Sequence, residues 1–186
     1  MSAVIWINGA FGAGKSTLAE ELRRRLPDTI PFDPEYVGYI LRGWVPAAPS
    51  GDFQDIPLWR RMVAQFAIGL ADDYHRPLIV PMTLVNQTYR AEIFAPIRAA
   101  GHDLVHAFLD VPADELHRRI DAQETGPGGE IFNDESRVFR HGNVDRCVAA
   151  AAELPPDTLV LPADKMSPAE LADAILATIS PASAGA

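Results

Sequence analysis

Short apolar runs alternate along the chain with segments whose apolar residues recur every three or four positions. The runs have the length and the β-branched composition of buried strands, and they cover 3–7, 29–33, 77–83, 102–111 and 157–163. The helical pattern begins at Ser16 and returns over 57–73, 88–100, 113–123, 143–153 and 167–179. Strands that alternate with helices predict an α/β fold, in which a parallel five-stranded sheet carries helices on both faces.

Two segments interrupt this alternation. Residues 43–57 are rich in proline and glycine and carry aromatic residues, and 124–137 form a polar, glycine-rich stretch between two predicted helices. Loops of this length in a compact domain are commonly functional lids. We therefore predict a lid over about 124–140.

Length, composition and charge narrow the class of protein. The chain has 186 residues, of which 48% are hydrophobic, so we expect one domain over 1–180 and a flexible tail over 181–186. The net charge of −9 argues against a nucleic-acid partner and makes membrane association unlikely. The single cysteine, Cys147, cannot form an internal disulfide, which together with the lack of a signal-like N-terminus favours the cytoplasm.

The turn between the first predicted strand and the first predicted helix carries a phosphate-binding motif. The residues "GAFGAGKS", 9–16, match G-x-x-x-x-G-K-[ST], the Walker A motif or P-loop. Its glycines let backbone N–H groups converge on phosphate oxygens, its lysine reaches the β- and γ-phosphates, and its serine hydroxyl suits Mg²⁺. We predict ATP and Mg²⁺ as cofactors, with Ser16 as a metal ligand and Lys15 as a catalytic residue. The predicted nucleotide contacts are Gly9, Ala10, Phe11, Gly12, Ala13, Gly14, Lys15, Ser16 and Thr17.

The acidic partner of the P-loop is predicted at the end of the second strand. The strand over 77–83 contains Pro81 and no acid, whereas Asp33 and Glu35 follow the second strand directly. From there, Asp33 could act as a base or as a Mg²⁺ ligand, and both acids could contact the acceptor of a phosphoryl group. The alternative is structural, because Asp33 followed by Pro34 is also a typical helix N-cap.

Arginines surround the predicted lid. They are Arg118, Arg119, Arg137, Arg140 and Arg146. Arginines that close over a phosphate stabilise the charge of the transition state, and we assign this catalytic and nucleotide-binding role to Arg119. The alternative is that these arginines form solvated ion pairs with neighbouring acids. The five histidines show no metal-ligand spacing.

Several segments together resemble one family. "IWINGAFGAGKS", "FDPEYVGYILRGWVP", "DFQDIPLWR", "LIVPMTLVNQTY" and "VDRC" occur in this order, and the chain thereby resembles the tunicamycin-resistance ATP-binding proteins. These are nucleotide-kinase-like P-loop proteins, so the resemblance implies that fold, ATP binding and protection against tunicamycin, a fatty-acylated nucleoside antibiotic. The chain departs from the family in its glycine-rich lid and in Gln123, which stands where an arginine is expected.

The resemblance also implies where the ligands bind. In nucleoside monophosphate kinases the last strand–helix loop lies over the adenine, which assigns Ala163, Asp164 and Lys165 to that position. Kinases hold the acceptor in the segment that corresponds to about 34–75, where aromatic residues can stack on a base or cover an acyl chain. The residues assigned to the acceptor are Asp33, Glu35, Arg42, Trp44, Phe53, Trp59, Arg60, Met82 and Asn86. The alternative for Trp59 and Phe53 is that they are core residues.

Three functions remain open from the sequence. The first is an ATP-dependent small-molecule phosphotransferase that acts on tunicamycin or on a related nucleoside-type compound. The second is an ATP-gated protein that binds and sequesters tunicamycin without chemistry. The third is a housekeeping nucleotide or sugar kinase.

Overall fold

The computed structural model describes residues 2–124 and 133–179. The strands are β1 (Ala3–Gly9), β2 (Ile30–Pro31), β3 (Leu78–Pro81), β4 (Asp103–Asp110) and β5 (Leu159–Pro162). The helices are α1 (Lys15–Arg25), α2 (Glu35–Arg42), α3 (Pro57–Tyr74), α4 (Gln87–Ala99), α5 (Ala113–Ala122), α6 (Asp134–Gly142), α7 (Val144–Ala149) and α8 (Pro168–Leu176). Short 3₁₀ turns cover Phe53–Asp55 and Ala150–Glu153.

The five strands form one parallel sheet in the order β2-β3-β1-β4-β5. β1 lies at the centre, where Ile5 pairs with Ile79 of β3 and with Val105 of β4. All seven residues of β1 are buried, as expected for a parallel strand that is covered on both faces. The predicted α/β fold is confirmed, and its central strand leads directly into the glycine-rich turn.

Two hydrophobic cores lie on opposite faces of the sheet. Ile5 and Ile7 of β1 belong to the core that α1, α5, α7 and α8 cover. Val4 and Trp6 of the same strand belong to the other core, which α2, α3 and α4 cover. Because successive side chains of a strand point to opposite faces, one apolar strand supplies both cores.

Two predicted elements differ in the structure. The second strand is only Ile30–Pro31, because the chain turns into α2 directly after Asp33. The polar segment 124–137 was predicted to be a loop throughout, yet α6 begins at Asp134. Its start is stabilised by the Asn133 side chain, which accepts a hydrogen bond from the Ser136 amide, and by two acids in the first turn. The rest of the predicted lid, 125–132, and the predicted tail, 181–186, lie outside the described residues.

No helix in the described part of the chain combines the length and the apolar character needed to cross a membrane.

Candidate functional site

The P-loop connects the end of β1 to the start of α1. Gly9 and Gly14 both have positive φ angles, of 140° and 99°, which favour glycine. A Cβ at Gly9 would lie 2.9 Å from the carbonyl oxygen of Leu109, whereas a Cβ at Gly14 would project into open space. The turn therefore packs tightly against β4 on one side and leaves its backbone open on the other. This geometry fits a phosphate group, which the backbone amides and Ser16 would hold together with Mg²⁺.

Lys15 is the cation of this turn. Its Nζ donates hydrogen bonds to the carbonyl oxygens of Gly9, at 3.1 Å, and Ala10, at 2.8 Å. Burial lowers the pKa of Lys15 to about 8, the nearby Cys147 and Glu35 act in the opposite direction, and Arg140 lowers it further. The P-loop thus holds a lysine whose charge is incompletely stabilised by the protein.

A buried asparagine fixes the start of the P-loop, and the sequence analysis did not identify it. The Asn8 Oδ1 accepts hydrogen bonds from the amides of Gly9 and Leu84, each at 2.8 Å. The hydroxyl of Thr83 donates to the carbonyl oxygen of Gly9 at 2.8 Å. The loop between β3 and α4 is therefore attached to the P-loop by hydrogen bonds. The available signal was a polar residue inside an otherwise apolar strand, immediately before the glycine motif.

Asp33 and Glu35 lie at the start of α2, next to the edge strand β2. The Asp33 Oδ1 accepts a hydrogen bond from the Glu35 amide at 2.9 Å, so the predicted capping interaction is present. Glu35 is the acid that influences the pKa of Lys15, and it also accepts a hydrogen bond from the Tyr39 hydroxyl at 3.2 Å. Glu35 therefore has an electrostatic link to the P-loop lysine.

Arg119 bridges the P-loop and the loop after β5. Its guanidinium donates to the carbonyl oxygens of Gly12, at 3.5 Å, and Ala163, at 3.3 Å. It also forms an ion pair with Glu115 of the same helix, at 2.6 Å. The structure thus brings Arg119, the P-loop and the residue before Asp164 together, and their contacts with a nucleotide stay predictions.

Helix α6 contacts the P-loop through aromatic and arginine side chains. The rings of Phe11 and Phe139 lie edge to face with 5.7 Å between centroids. The guanidinium of Arg140 lies 5.7 Å from the same Phe11 ring and donates to the Gln123 side chain at 2.7 Å. The structure therefore adds Arg140, 8% exposed, to the arginines that lie near the P-loop.

Three residues that are predicted to contact the acceptor have buried side chains. Trp59 is fully buried and donates its indole N–H to the carbonyl oxygen of Pro34 at 3.1 Å. Met82 is 4% exposed in the core that contains Trp6. Arg60 is 6% exposed and pairs with Glu92 at 2.6 Å. Their side chains have these internal partners, and the ligand contacts of these three residues stay predictions.

The other predicted acceptor residues lie nearer the surface. Phe53 is half-buried because its ring packs against Gly38 and Trp59. Arg42 stacks on Tyr39 and Phe53, and Trp44 is 77% exposed. Asn86 is exposed and caps α4 by accepting a hydrogen bond from the Tyr89 amide at 3.1 Å. Their ligand contacts stay predictions.

The described residues contain no cluster of three or more histidine, cysteine, aspartate or glutamate side chains that could hold a metal ion. The two predicted Mg²⁺ ligands, Ser16 and Asp33, do not form a cluster of this kind, and their metal contacts stay predictions.

The parallel sheet, the P-loop and its half-buried lysine define a P-loop protein of the nucleotide-kinase-like class. A family model described as an AAA domain matches residues 4–141, and the chain belongs to that family. No curated protein sequence matches the chain.

Solved structures share the fold over nearly the whole chain. The tunicamycin resistance protein of Deinococcus radiodurans is 24% identical, with a TM-score of 0.72 and 95% of each chain covered. The Mycobacterium tuberculosis APS kinase CysC, solved with AMPPNP and APS, is 20% identical, with a TM-score of 0.64 and coverage of 95% and 96%. A sugar kinase from Janibacter sp. HTCC2649 is also 20% identical, with a TM-score of 0.64 and coverage of 95% and 94%. These neighbours confirm the predicted kinase-like fold, and one of them is a tunicamycin resistance protein, as the resemblance predicted.

Proposed function

We propose that the protein is an ATP-dependent phosphotransferase whose acceptor is tunicamycin or a related nucleoside-type compound. The observation that carries the proposal is the P-loop itself, with its open backbone at Gly14 and the half-buried Lys15. The kinase-like fold supports nucleotide binding, and the similarity to a tunicamycin resistance protein supports the choice of acceptor. ATP, when bound, would supply the transferable γ-phosphoryl group.

The chain's own residues have separate roles in this proposal. Lys15 binds and orients the phosphates, and Arg119 reinforces the P-loop from the side of Ala163. The Glu35 carboxylate accepts the proton of the acceptor hydroxyl as a general base. Asp33 positions Glu35 by accepting a hydrogen bond from its amide. Ser16 and Asp33 remain the proposed ligands of Mg²⁺.

One observation favours sequestration as the second candidate function. β3 is the neighbour of β1 that commonly ends in a magnesium-binding acid in hydrolases, but here it ends at Pro81. The following hydroxyl, that of Thr83, is already bonded to Gly9. A protein that binds ATP and tunicamycin without transfer would need no acid at this position.

The test is incubation of the protein with Mg²⁺, ATP and tunicamycin, followed by mass spectrometry of the antibiotic. Gain of one phosphoryl mass, abolished by Lys15→Ala, supports the phosphotransferase. Tight binding of both ligands without any mass change supports sequestration instead.

Two matched variants separate the acids. Glu35→Gln should slow transfer by about 10²-fold or more, the usual effect of losing acid–base assistance, and leave the melting temperature nearly unchanged. Asp33→Asn retains the cap, because asparagine caps helices about as well as aspartate. If Asp33→Asn is the slower enzyme and Glu35→Gln is fully active, Asp33 is the base and Glu35 is not.

A further inference from the structure

A cavity of about 410 Å³ opens between the start of α4 and helix α7. Its polar lining consists of Asn86, Gln87, Thr88, Arg146 and Glu153, and the described residues that complete it are small and apolar. Its volume lies within the range of about 300–1,000 Å³ that is typical of small-molecule sites.

The two segments that line the cavity, 85–88 and 146–153, each follow or contain residues that contact or approach the P-loop. On one side the chain reaches α4 directly from Thr83 and Leu84, which are hydrogen-bonded to Gly9 and Asn8. On the other side Arg146 precedes Cys147, which is close enough to influence the pKa of Lys15. The cavity is therefore built from segments that also contact or approach the phosphate-binding turn.

Among the described residues, the lining offers hydrogen bonds but no aromatic surface. Two amides, a hydroxyl, a guanidinium and a carboxylate provide both donors and acceptors. The amide oxygen of Asn86 is already used by the Tyr89 amide, which leaves its NH₂ group as a donor. A planar base would gain little here, since base recognition relies on stacking against aromatic rings. Hydroxyl groups, which donate and accept, match this lining.

The charge of the cavity is balanced. Arg146 shares the lining with Glu153. It also acts electrostatically on Asp52 and Asp55, at the 3₁₀ turn before α3. Burial raises the pKa of Asp52, the hydrogen bond from the Ser50 hydroxyl lowers the pKa of Asp55, and Arg146 acts on both carboxylates in the lowering direction. With its one arginine opposed by acids, the cavity is poorly suited to an acceptor that already carries a phosphate or a sulfate.

We propose that this cavity binds an uncharged, hydroxyl-rich ring of the acceptor, such as a sugar or a ribose, and that Gln87 and Arg146 determine this specificity. The inference rests on the proposed function, because it concerns the acceptor of the same site. It adds a second part to the acceptor site, beside the aromatic residues predicted from the sequence, of which Trp59 is buried in the core.

The test uses backbone amide shifts in NMR titrations with four probes: uridine, uracil, glucose and glucose 6-phosphate. Each titration is run on the wild type with and without AMPPNP. Uridine and glucose should shift the amides of 86–88 and 146–150, uracil should leave them unchanged, and glucose 6-phosphate should bind no more tightly than glucose. Binding of uracil equal to that of uridine, a preference for the phosphate, or no response to either hydroxylated probe would overturn the proposal.

Substitutions then assign the response to the cavity. Arg146→Gln and Gln87→Ala should each weaken binding of the sugar probes by about tenfold, the usual effect of losing a hydrogen bond to a charged or buried group. The matched control is Arg23→Gln, which makes the same chemical change at an exposed residue of α1. Unchanged binding in both cavity variants contradicts the proposal.

Failure of this inference is distinguishable from failure of the proposed function. If sugar binding is present and no phosphoryl group is transferred, the cavity assignment stands and the phosphotransferase fails. If transfer to tunicamycin occurs but the cavity variants transfer normally and bind sugars normally, only the inference fails.

Discussion

In the free protein, the side chain of Lys15 is hydrogen-bonded to the same P-loop that would bind the phosphates. Its ammonium is satisfied by two P-loop carbonyl oxygens, and burial lowers its pKa to about 8. An anionic phosphate favours the charged lysine and would raise this pKa again. The free protein therefore has to gain a proton at Lys15 when nucleotide binds at alkaline pH.

This linkage predicts a pH-dependent affinity for nucleotide. Between pH 7 and pH 9 the charged fraction of a group with pKa 8 falls about tenfold, so the affinity for Mg-ATP should fall about tenfold. Calorimetric titrations at several pH values measure this slope. Lys15→Arg is the control, since arginine stays protonated over the whole range. If the wild type and Lys15→Arg show the same slope, Lys15 does not titrate as proposed.

Helix α6 contacts the phosphate-binding turn through an edge-to-face pair between Phe139 and Phe11, next to Arg140, which lies near the same Phe11 ring. Such pairs contribute about 0.5–1.5 kcal/mol beyond their buried area. Phe139→Ala should therefore leave the global fold intact but increase hydrogen exchange over 134–142, and it should weaken nucleotide binding several-fold.

Val138→Ala provides the comparison for this prediction, because Val138 lies on the same helix and is 72% exposed. Its exchange and its affinity should equal those of the wild type. Equal exchange in Phe139→Ala and Val138→Ala would mean that the aromatic pair does not hold α6 on the P-loop.

Most elements could be predicted because the signals are local. The five apolar runs became the five strands of the sheet, and the glycine motif lies between β1 and α1 as its context required. The start of α6 was missed because polar and glycine-rich residues give no apolar periodicity, and the local indications were the Asn133 cap and the two acids that follow it.

The acceptor side could not be predicted from residue types. Trp59 and Trp44 stand in one aromatic segment, yet the first is fully buried and the second is 77% exposed. Which of them packs depends on tertiary contacts, such as the hydrogen bond from Trp59 to Pro34, that spacing along the chain does not encode. The cavity beside α4 depends on two segments about 60 residues apart, so no local pattern indicates it.

A buried polar chain connects the sheet from its centre toward one edge. The Asn8 side chain donates to the carbonyl oxygen of Leu84 at 2.8 Å and to His106 Nε2 at 3.1 Å. Because Nε2 accepts in this arrangement, His106 carries its proton on Nδ1 and donates to the Thr158 hydroxyl at 2.9 Å. These hydrogen bonds link β1 and β4 to the segment that follows β3 and to the segment that precedes β5.

The stability of the whole molecule should therefore depend on the charge of His106. Burial lowers the pKa of this 3% exposed side chain from 6.5 to about 3, with Arg90 and Arg98 acting in the same direction and Asp157 opposing them. Below pH 6.5 the unfolded chain binds a proton that the folded protein does not, so stability falls as the pH falls. Between pH 8 and pH 5 this one group should cost about 2 kcal/mol of unfolding free energy.

Denaturant unfolding at pH 8 and pH 5 tests this expectation by difference. His106→Gln should be less stable than the wild type at pH 8, because the polar chain is altered, but it should lose about 2 kcal/mol less on acidification. His75→Asn, which removes an exposed histidine at the end of α3, should lose as much stability as the wild type. Since protonation of carboxylates is common to all three proteins, it cancels in the comparison. Equal acid losses in the wild type and in His106→Gln would show that the buried histidine does not control the acid sensitivity of the fold.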